Sequence, residues 1–465
     1  MRLGFETLGN ASLLFWENDR PVLGTDPWLG GTCYFGSWAL DRPLTDAERA
    51  GLMDAEYLWI SHGHPDHLHP DSLAQLPRDK KILLPNHYTP EIRDGLVEQG
   101  FTVEVLPYKT WRRLSPGVRC MCIDNENQDA ILIVEAGDTL VVNLNDSPLC
   151  GEERFIRNLI AGYDRAKTYV AALCAIDADM INIIDDEGRR TIDPPEQRKK
   201  GMVWATARLM DRLGAGSFVS SASQHIYVRA DSIWANPYRV TWADVEKHWT
   251  RPQVRKLEPF VTVDLETGAV HRKHPTRVSA EYQITETTGD DDWAERMDPA
   301  DWVDVKAFFA KFELLPRHFD YLDFVVGGER RRAWLDPMAM HKPVSRLRGI
   351  GFHAPRRSLM DAVHYGFMDD ILIGNFMKTE LHNATLYPHF TPVVSKLGGN
   401  AKVFTAAERR RFNFHYFRRN PVGYVAWHLE ARIEAVIEIA RKCADKIGVK
   451  PPLKRIYRRM IGDPV

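Results

Sequence analysis

The residues most capable of chemistry stand in the pattern H-x-H-x-D-H, formed by His62, His64, Asp66 and His67. The pattern follows an apolar run at 57–60, which we predict to be a strand, and precedes a helix-like segment. Because side chains alternate along a strand, a strand end places His62 and His64 on one side, and the turn after it offers Asp66 and His67 to a second point. This geometry suits two metal ions about 3.5–4 Å apart. A dinuclear metal centre is therefore favoured over a histidine-rich surface loop.

The elements that must position this motif alternate between short apolar strands and helix-like segments over roughly the first 150 residues. Strands alternating with helices indicate a layered α/β domain. Residues 151–213 are typical of mainly helical structure, and a further strand is predicted at 217–220. In the second half, residues 369–375 form a strand-like run whose acids we expect in a solvated turn.

The composition changes at residues 281–304, which carry nine acidic residues and one arginine. We therefore predict a domain boundary near residue 265. Residues 1–265 are expected to form a metal-binding catalytic domain. Residues 266–465 are expected to form an α+β accessory domain that covers the substrate and ends in a basic helical segment.

The composition of the 465-residue chain excludes several classes of protein. Hydrophobic residues make up 44% and charged residues 27%, as in ordinary globular proteins. The net charge of −2 gives no reason to expect a nucleic-acid or membrane partner. The N-terminus shows no apolar signal core, so we expect a cytoplasmic protein. The six cysteines include no C-x-x-C pair, which argues against a zinc ribbon.

The H-x-H-x-D-H motif resembles that of the metallo-β-lactamase fold, an αββα sandwich with its metal site at one edge. The runs at 26–29 (DPWL), 36–38 (GSW) and 55–76 are similar to the catalytic region of CMP-N-acetylneuraminate hydroxylases. The resemblance covers about residues 1–230. It implies such a sandwich followed by a smaller α+β C-terminal domain, with Asp26 beneath the metal histidines.

Those hydroxylases begin with a Rieske iron–sulfur domain. We expect no such domain before Asp26, and the sequence contains no C-x-H…C-x-x-H pair. A separate ferredoxin or reductase is therefore predicted to deliver electrons.

The resemblance also implies a third ligand of the first metal on a strand-end loop, where this chain has no histidine between residues 123 and 129. Glu126 is the leading candidate, and Asp124 and Asp129 are the alternatives. With His62 and His64, a carboxylate would complete a 2-His-1-carboxylate set, which suits iron that binds oxygen.

The bridging carboxylate that the fold requires is assigned to Asp146, although a cap or turn role is an alternative. The last ligand is assigned to His225, with an ordinary loop histidine as the alternative. Asp66, His67 and His225 would then hold the second metal. No catalytic group beyond the ligands is predicted.

The leading hypothesis is a dinuclear iron oxygenase of the hydroxylase type. It would use O₂ and an external electron donor on an organic, anionic small molecule. The rival is a hydrolase with two zinc or manganese ions that cleaves a phosphodiester, amide or lactone. A binding protein with a vestigial site is the third class, and the complete motif argues against it.

Overall fold

The computed structural model describes residues 2–174, 182–273 and 291–446. Its strands are β1 (Leu3–Gly9), β2 (Ser12–Glu17), β3 (Arg20–Thr25), β4 (Thr32–Cys33), β5 (Trp38–Leu40), β6 (Tyr57–Trp59), β7 (Lys81–Pro85), β8 (Thr102–Leu106), β9 (Arg112–Arg113), β10 (Val118–Asp124), β11 (Ala130–Ala136), β12 (Thr139–Asn145), β13 (Thr168–Leu173), β14 (Ile183–Ile184), β15 (Ser217–Ser221), β16 (His225–Tyr227), β17 (Arg255–Leu257), β18 (Val261–Asp264), β19 (Val270–Arg272), β20 (Tyr321–Val326), β21 (Glu329–Trp334), β22 (Gly349–His353) and β23 (Lys378–His382).

The α-helices are α1 (Asp46–Asp54), α2 (Pro70–Gln75), α3 (Glu91–Glu98), α4 (Glu153–Ile160), α5 (Pro195–Leu213), α6 (Trp242–His248), α7 (Pro299–Ala310), α8 (Arg356–Tyr365), α9 (Met368–Ile373), α10 (Ala406–Arg419) and α11 (Pro421–Lys446). A π-helix spans Pro392–Asn400. Short 3₁₀-helices are Arg165–Lys167, Ile233–Tyr238, Leu315–Arg317, Pro337–His341 and Val344–Arg346. In these ranges no helix has both the length and the apolarity to cross a membrane.

Two large sheets pack face to face in the first part of the chain. One has the strand order β19-β18-β1-β2-β3-β6-β7-β8, and the other has the order β17-β15-β13-β12-β11-β10-β9. A buried core between them takes Phe5 and Trp59 from the first sheet and Leu132 and Val219 from the second. Helices α1–α3 cover the outer face of the first sheet, and α4–α6 cover that of the second. The predicted αββα sandwich is therefore confirmed.

Strand β11 shows why the central strands are almost wholly apolar. Leu132 and Val134 face the core between the sheets. Ile131 and Ile133 point the other way, into the core beneath the helices. Because successive side chains alternate between faces and both faces are covered, nearly every position is apolar, and the exception is the partly exposed Glu135 near the strand end.

The second part of the chain is a smaller α+β domain, as predicted. Its five-stranded sheet has the order β14-β23-β22-β20-β21. Helices α7–α10 and the π-helix share with this sheet a core rich in phenylalanine, including Phe309, Phe312, Phe324, Phe352 and Phe390. The edge strand β14 comes from the first half of the sequence, so the two parts interlock.

One local expectation was wrong, and one strand was missed. The 151–213 segment carries α4 and α5, as a mainly helical segment should, but it also contains β13, which lies in parallel between β12 and β15. Residues 369–375 lie largely in α9, not in a strand. Strands β18 and β19, on either side of residue 265, pair with each other, so the first sheet extends to Arg272.

Gly216, just before β15, lies so close to the backbone at Arg165 that a larger residue there should destabilise the fold. A Cβ at Gly216 would overlap the carbonyl oxygen of Arg165, which is backbone and cannot easily move. Gly216→Ala should therefore lower the free energy of unfolding by about 1–3 kcal/mol. The matched change Gly201→Ala lies in α5 with open space around it. It should raise stability by about 0.5–1 kcal/mol, because alanine favours a helix interior. Denaturant unfolding would measure the free energy of unfolding of both variants. An equal change in the two variants would contradict the close backbone contact at Gly216.

Candidate metal centre

The motif lies at one edge of the sandwich, where neighbouring strands end. Strands β3 and β6 run in parallel, so Asp26 after β3 and the motif after β6 emerge side by side. The backbone N–H of Asp26 donates to the Trp59 carbonyl at 2.8 Å, which fixes the two strand ends together. Asp146 follows β12 of the other sheet. The edge therefore gathers acidic and imidazole groups from both sheets.

The first two histidines present one nitrogen each to a common point. His62 Nε2 lies 2.9 Å from His64 Nδ1, and the ring centroids are 4.6 Å apart. Two imidazole nitrogens bound to one metal at about 2.1 Å, roughly at right angles, stand about 3 Å apart. The observed separation fits a shared metal ion.

A second group forms around His67. Its Nε2 lies 3.2 Å from Asp66 Oδ2 and 3.2 Å from Asp146 Oδ2. Ligand atoms of His62, His67 and Asp146 all lie within 4.8 Å of one another. The two groups thus adjoin, as a dinuclear centre requires.

Each motif histidine has its other ring nitrogen held by a partner. Ser61 Oγ lies 2.9 Å from His62 Nδ1. Asp26 Oδ2 lies 3.2 Å from His67 Nδ1. Asp369 Oδ2 lies 3.1 Å from His64 Nε2. Partners of this kind fix the tautomer and ring orientation of a metal-binding histidine. Asp26, which the resemblance placed beneath the metal histidines, contacts one of them, His67.

The protonation of the histidines reflects the surrounding charges. Burial, and then the neighbouring His67 and His64, hold the pKa of His62 well below its ordinary value. Burial alone would also lower the pKa of His67, but Asp66, Asp146 and Asp26 raise it well above its ordinary value. Burial would lower the pKa of His64 as well, but the hydrogen bond and the charge of Asp369 raise it to about 10. Without metal, protons on His64 and His67 compensate the carboxylates, a role that metal cations would take over.

One of the two carboxylate oxygens of Asp146 has no hydrogen-bond partner among the described residues. That oxygen, Oδ1, is buried, while Oδ2 contacts His67. A buried carboxylate oxygen without a partner is costly, and a bound cation would satisfy it. The donor set of His62, His67 and Asp146 therefore fits a metal ion.

His225 lies at the same edge on a separate small sheet. Its ring stacks on Trp38 with a centroid distance of 3.5 Å and an interplanar angle of 1°. Burial and then Arg239 lower its pKa to about 3, against the opposing charge of Asp66. The imidazole is therefore neutral, the form that binds metal. Its buried Nδ1 has no hydrogen-bond partner within the described ranges.

Glu126, the leading candidate for the third ligand of the first metal, points away from the histidines. Its carboxylate accepts hydrogen bonds from Trp427 Nε1 at 3.0 Å and His428 Nε2 at 3.1 Å. Lys396 Nζ lies 3.7 Å from it. Asp124, one alternative, is paired with Arg419.

Asp129, the other alternative, lines the same cavity as His64. It is buried, and burial raises its pKa to about 6 against the hydrogen bond from Asn127 and the opposing charges of His64 and His67. Asn127 Nδ2 donates to its Oδ2 at 2.5 Å. Of the three acids in this loop, Asp129 is the one that shares a cavity with a motif histidine.

Two other histidines that border the motif have structural partners. His69 caps α2, since its Nδ1 accepts from the Ser72 backbone at 3.1 Å. His87 Nε2 donates to the Ser61 carbonyl at 2.9 Å and so supports the motif loop.

Sequence reasoning missed several groups at the centre. Tyr34 donates to Asp66 Oδ1 at 2.5 Å, and Asn10 donates to Asp66 Oδ2 at 2.8 Å. Asp369, expected in a solvated turn, is instead buried against His64. Ligand atoms of His64, Asp369 and Asp370 also lie within 4.8 Å of one another. The pair of acids itself was visible in the sequence, but nothing local tied it to the motif.

Comparisons with known proteins match parts of the chain. A Mycobacterium tuberculosis protein, provisionally named as a Rieske 2Fe-2S iron–sulfur protein, is 28% identical over 153 residues, 30% of this chain and 29% of that protein. The cytidine monophosphate-N-acetylneuraminic acid hydroxylase of Danio rerio is 31% identical over 131 residues, 26% of this chain and 22% of the enzyme. The predicted resemblance is confirmed. The chain matches less than a third of the length of these relatives.

Solved structures with a similar fold are remote in sequence. The metallo hydrolase Igni18 of Ignicoccus hospitalis aligns with a TM-score of 0.37 at 17% identity, covering 57% of this chain and 98% of that one. An isothiocyanate hydrolase from Delia radicum gut bacteria aligns with a TM-score of 0.37 at 15% identity, with the same coverage of 57% and 98%. No family model matches the chain.

The role of Asp369 can be tested by metal affinity. Asp369→Ala removes the partner of His64 Nε2, so the affinity for Zn²⁺ or Fe²⁺ should fall about 10–100-fold. Asp304→Ala is the matched control, because Asp304 also pairs with a histidine, His364, but at an exposed site. Competition with a chromogenic chelator would measure both. Equal affinities of the two variants and the wild type would contradict an orienting role.

Proposed function

We propose that the chain is a dinuclear iron oxygenase of the hydroxylase type. The carrying observation is the pair His62 and His64, converging at 2.9 Å, together with the buried Asp129, which lines the same cavity as His64. Two imidazoles and one carboxylate are the donor set of iron sites that activate O₂. Asp129 thus replaces Glu126 as the proposed third ligand of the first metal.

The second metal is assigned to Asp66, His67 and His225, with Asp146 as the bridge. The described contacts support the first two residues and Asp146 through their separations of 3.2 Å. His225 is supported by its neutral, buried ring at the same edge. When bound, iron supplies the oxygen chemistry, while the protein orients the ligands and keeps the site dry.

The partial relatives support oxidation over hydrolysis. One is named a hydroxylase, and another carries a Rieske iron–sulfur name. We infer an organic, anionic substrate and an external electron donor such as a ferredoxin or reductase. A hydrolase with zinc or manganese is the competing outcome.

Metal content and oxygen use decide between the two functions. Protein expressed in iron-supplemented medium should contain two irons per chain and consume O₂ when supplied with a chemical reductant. Metal analysis, an optical or Mössbauer spectrum and an oxygen electrode measure this. Two zinc ions together with phosphodiesterase activity would overturn the oxygenase proposal.

The assignment of Asp129 has a matched control in its own loop. Asp129→Asn keeps the size of the side chain but removes the anionic donor, so the iron content of the first site should fall to half or less of the wild type. Glu126→Gln should retain full iron content, because Glu126 contacts Trp427 and His428 instead of the histidines. Metal analysis with Mössbauer spectra would compare the variants. Loss of iron in Glu126→Gln, with full content in Asp129→Asn, would restore Glu126 as the ligand.

A further inference from the structure

A cavity of about 140 Å³ opens beside the metal centre, between the two domains. His64, Asp129 and Asp369 line one side. Thr391, Ser395 and Lys396, on or next to the π-helix, are also among its lining residues. The accessory domain therefore supplies polar groups to the space next to the proposed first metal.

Two buried hydroxyl groups of residues that line this cavity lack partners in the described part of the chain. Ser395 Oγ and Thr391 Oγ1 are buried, with residue exposures of 7% and 4%, and neither has a hydrogen-bond partner among the described residues. Buried hydroxyl groups are normally paired, because leaving one unpaired costs about 1–3 kcal/mol. Donors of this kind, kept next to a cavity, indicate a ligand that accepts hydrogen bonds.

Lys396 brings a positive charge, and it is the one lysine or arginine among the cavity residues that the structure describes. Its Nζ lies 3.7 Å from Glu126 Oε1, beyond hydrogen-bond distance. Glu126 is itself fixed by Trp427 and His428. The carboxylate thus holds the lysine in place while leaving its ammonium protons available to an anion.

The π-helix that carries these groups is tightly packed. A Cβ at Gly398 would overlap the ring of Phe312 in the domain core, so the backbone lies directly against that ring. A π-helix is rare and often marks a functional site. The backbone beneath Ser395 and Lys396 is therefore fixed against the core before any ligand arrives.

We propose that this cavity is the substrate subsite and that it takes a small organic carboxylate, whose anionic group is held by Lys396, Ser395 and Thr391. The rest of the molecule then faces His64 and Asp129. The inference rests on the proposed function and specifies its substrate class. A carboxylate is favoured over a phosphate group, because one lysine compensates one negative charge, and the carboxylates of Asp129 and Asp369 repel a dianion. The volume is also below the roughly 300–1,000 Å³ of pockets for drug-sized ligands.

Calorimetric titration of the full chain with lactate tests the subsite, in metal-loaded and chelator-treated arms. Inorganic phosphate is the comparison probe. Lactate should bind the wild type in both arms, and more tightly than phosphate in the chelator-treated arm. Lys396→Met should weaken lactate about tenfold or more, because a charge-assisted hydrogen bond is lost. Ser395→Ala removes a hydroxyl without a protein partner, so it should weaken lactate binding several-fold while the melting temperature stays equal to that of the wild type or rises.

Lys402→Met is the matched control, since Lys402 lies nearby but pairs with Glu91 at 3.3 Å and does not line the cavity. It should leave lactate binding unchanged. Absence of lactate binding to the wild type, or equal affinity in wild type and Ser395→Ala, would overturn the subsite. Tighter binding of phosphate in the chelator-treated arm would reject the carboxylate class. If Lys396→Met does not fold, Ser395→Ala carries the test.

The outcome separates this inference from the proposed function. Metal content is measured on the same samples, and the chelator-treated arm reports the subsite without metal. Zinc instead of iron, with lactate binding intact, would defeat the oxygenase and keep the subsite. Two irons per chain without lactate binding would keep the oxygenase proposal and reject the subsite.

Discussion

The structure depends on the electrostatic compensation of a buried cluster of carboxylates and imidazoles at one edge of the sandwich. Asp26, Asp66 and His67 are at most 2% exposed, and removing such charges from water is costly unless each is paired. Asp26 accepts from the Ser61 backbone at 2.7 Å and from Asn145 at 2.8 Å, and it contacts His67. Sheet ends, loops and side-chain donors are thus arranged around a small number of negative charges that metal ions would complete.

The same constraint explains why the second domain is tied to the first. Asp369 reaches His64 only if α9 is held against the sandwich. Ser37 Oγ donates to the Gly374 carbonyl at 2.5 Å, and Trp234 Nε1 donates to the Asn375 carbonyl at 3.2 Å, just after that helix. Strand β14 adds a backbone connection to the five-stranded sheet of the second domain. The centre therefore takes groups from both domains, because Asp369, the partner of His64 Nε2, comes from the second.

Local signals in the sequence predicted those parts of the centre whose residues lie close together in the chain, and they missed those that come from distant segments. The motif histidines follow a strand that a local apolar run reveals, so their spacing placed them at the strand end. The position of Asp26 came from the family resemblance. Asp369 could not be found this way, because 305 residues separate it from His64 and its helix reads locally as a strand. The loop at 124–129 offered three acids, and only backbone geometry distinguishes them. Gln128 adopts a positive φ of 63° there, and its N–H donates to the Asn125 carbonyl at 3.0 Å, which closes the turn.

That turn directs two acids of one loop, Asp129 and Glu126, to different partners. Asp129 begins the return towards β11 and lines the cavity that His64 also lines, while Glu126 points to Lys396 and to the start of α11. A carboxylate that bound metal could not also pair with the lysine, so the loop divides the two roles between Asp129 and Glu126. One short loop can therefore fix the distance between a proposed metal ligand and a proposed substrate anchor. Any shift of the turn would move both groups together.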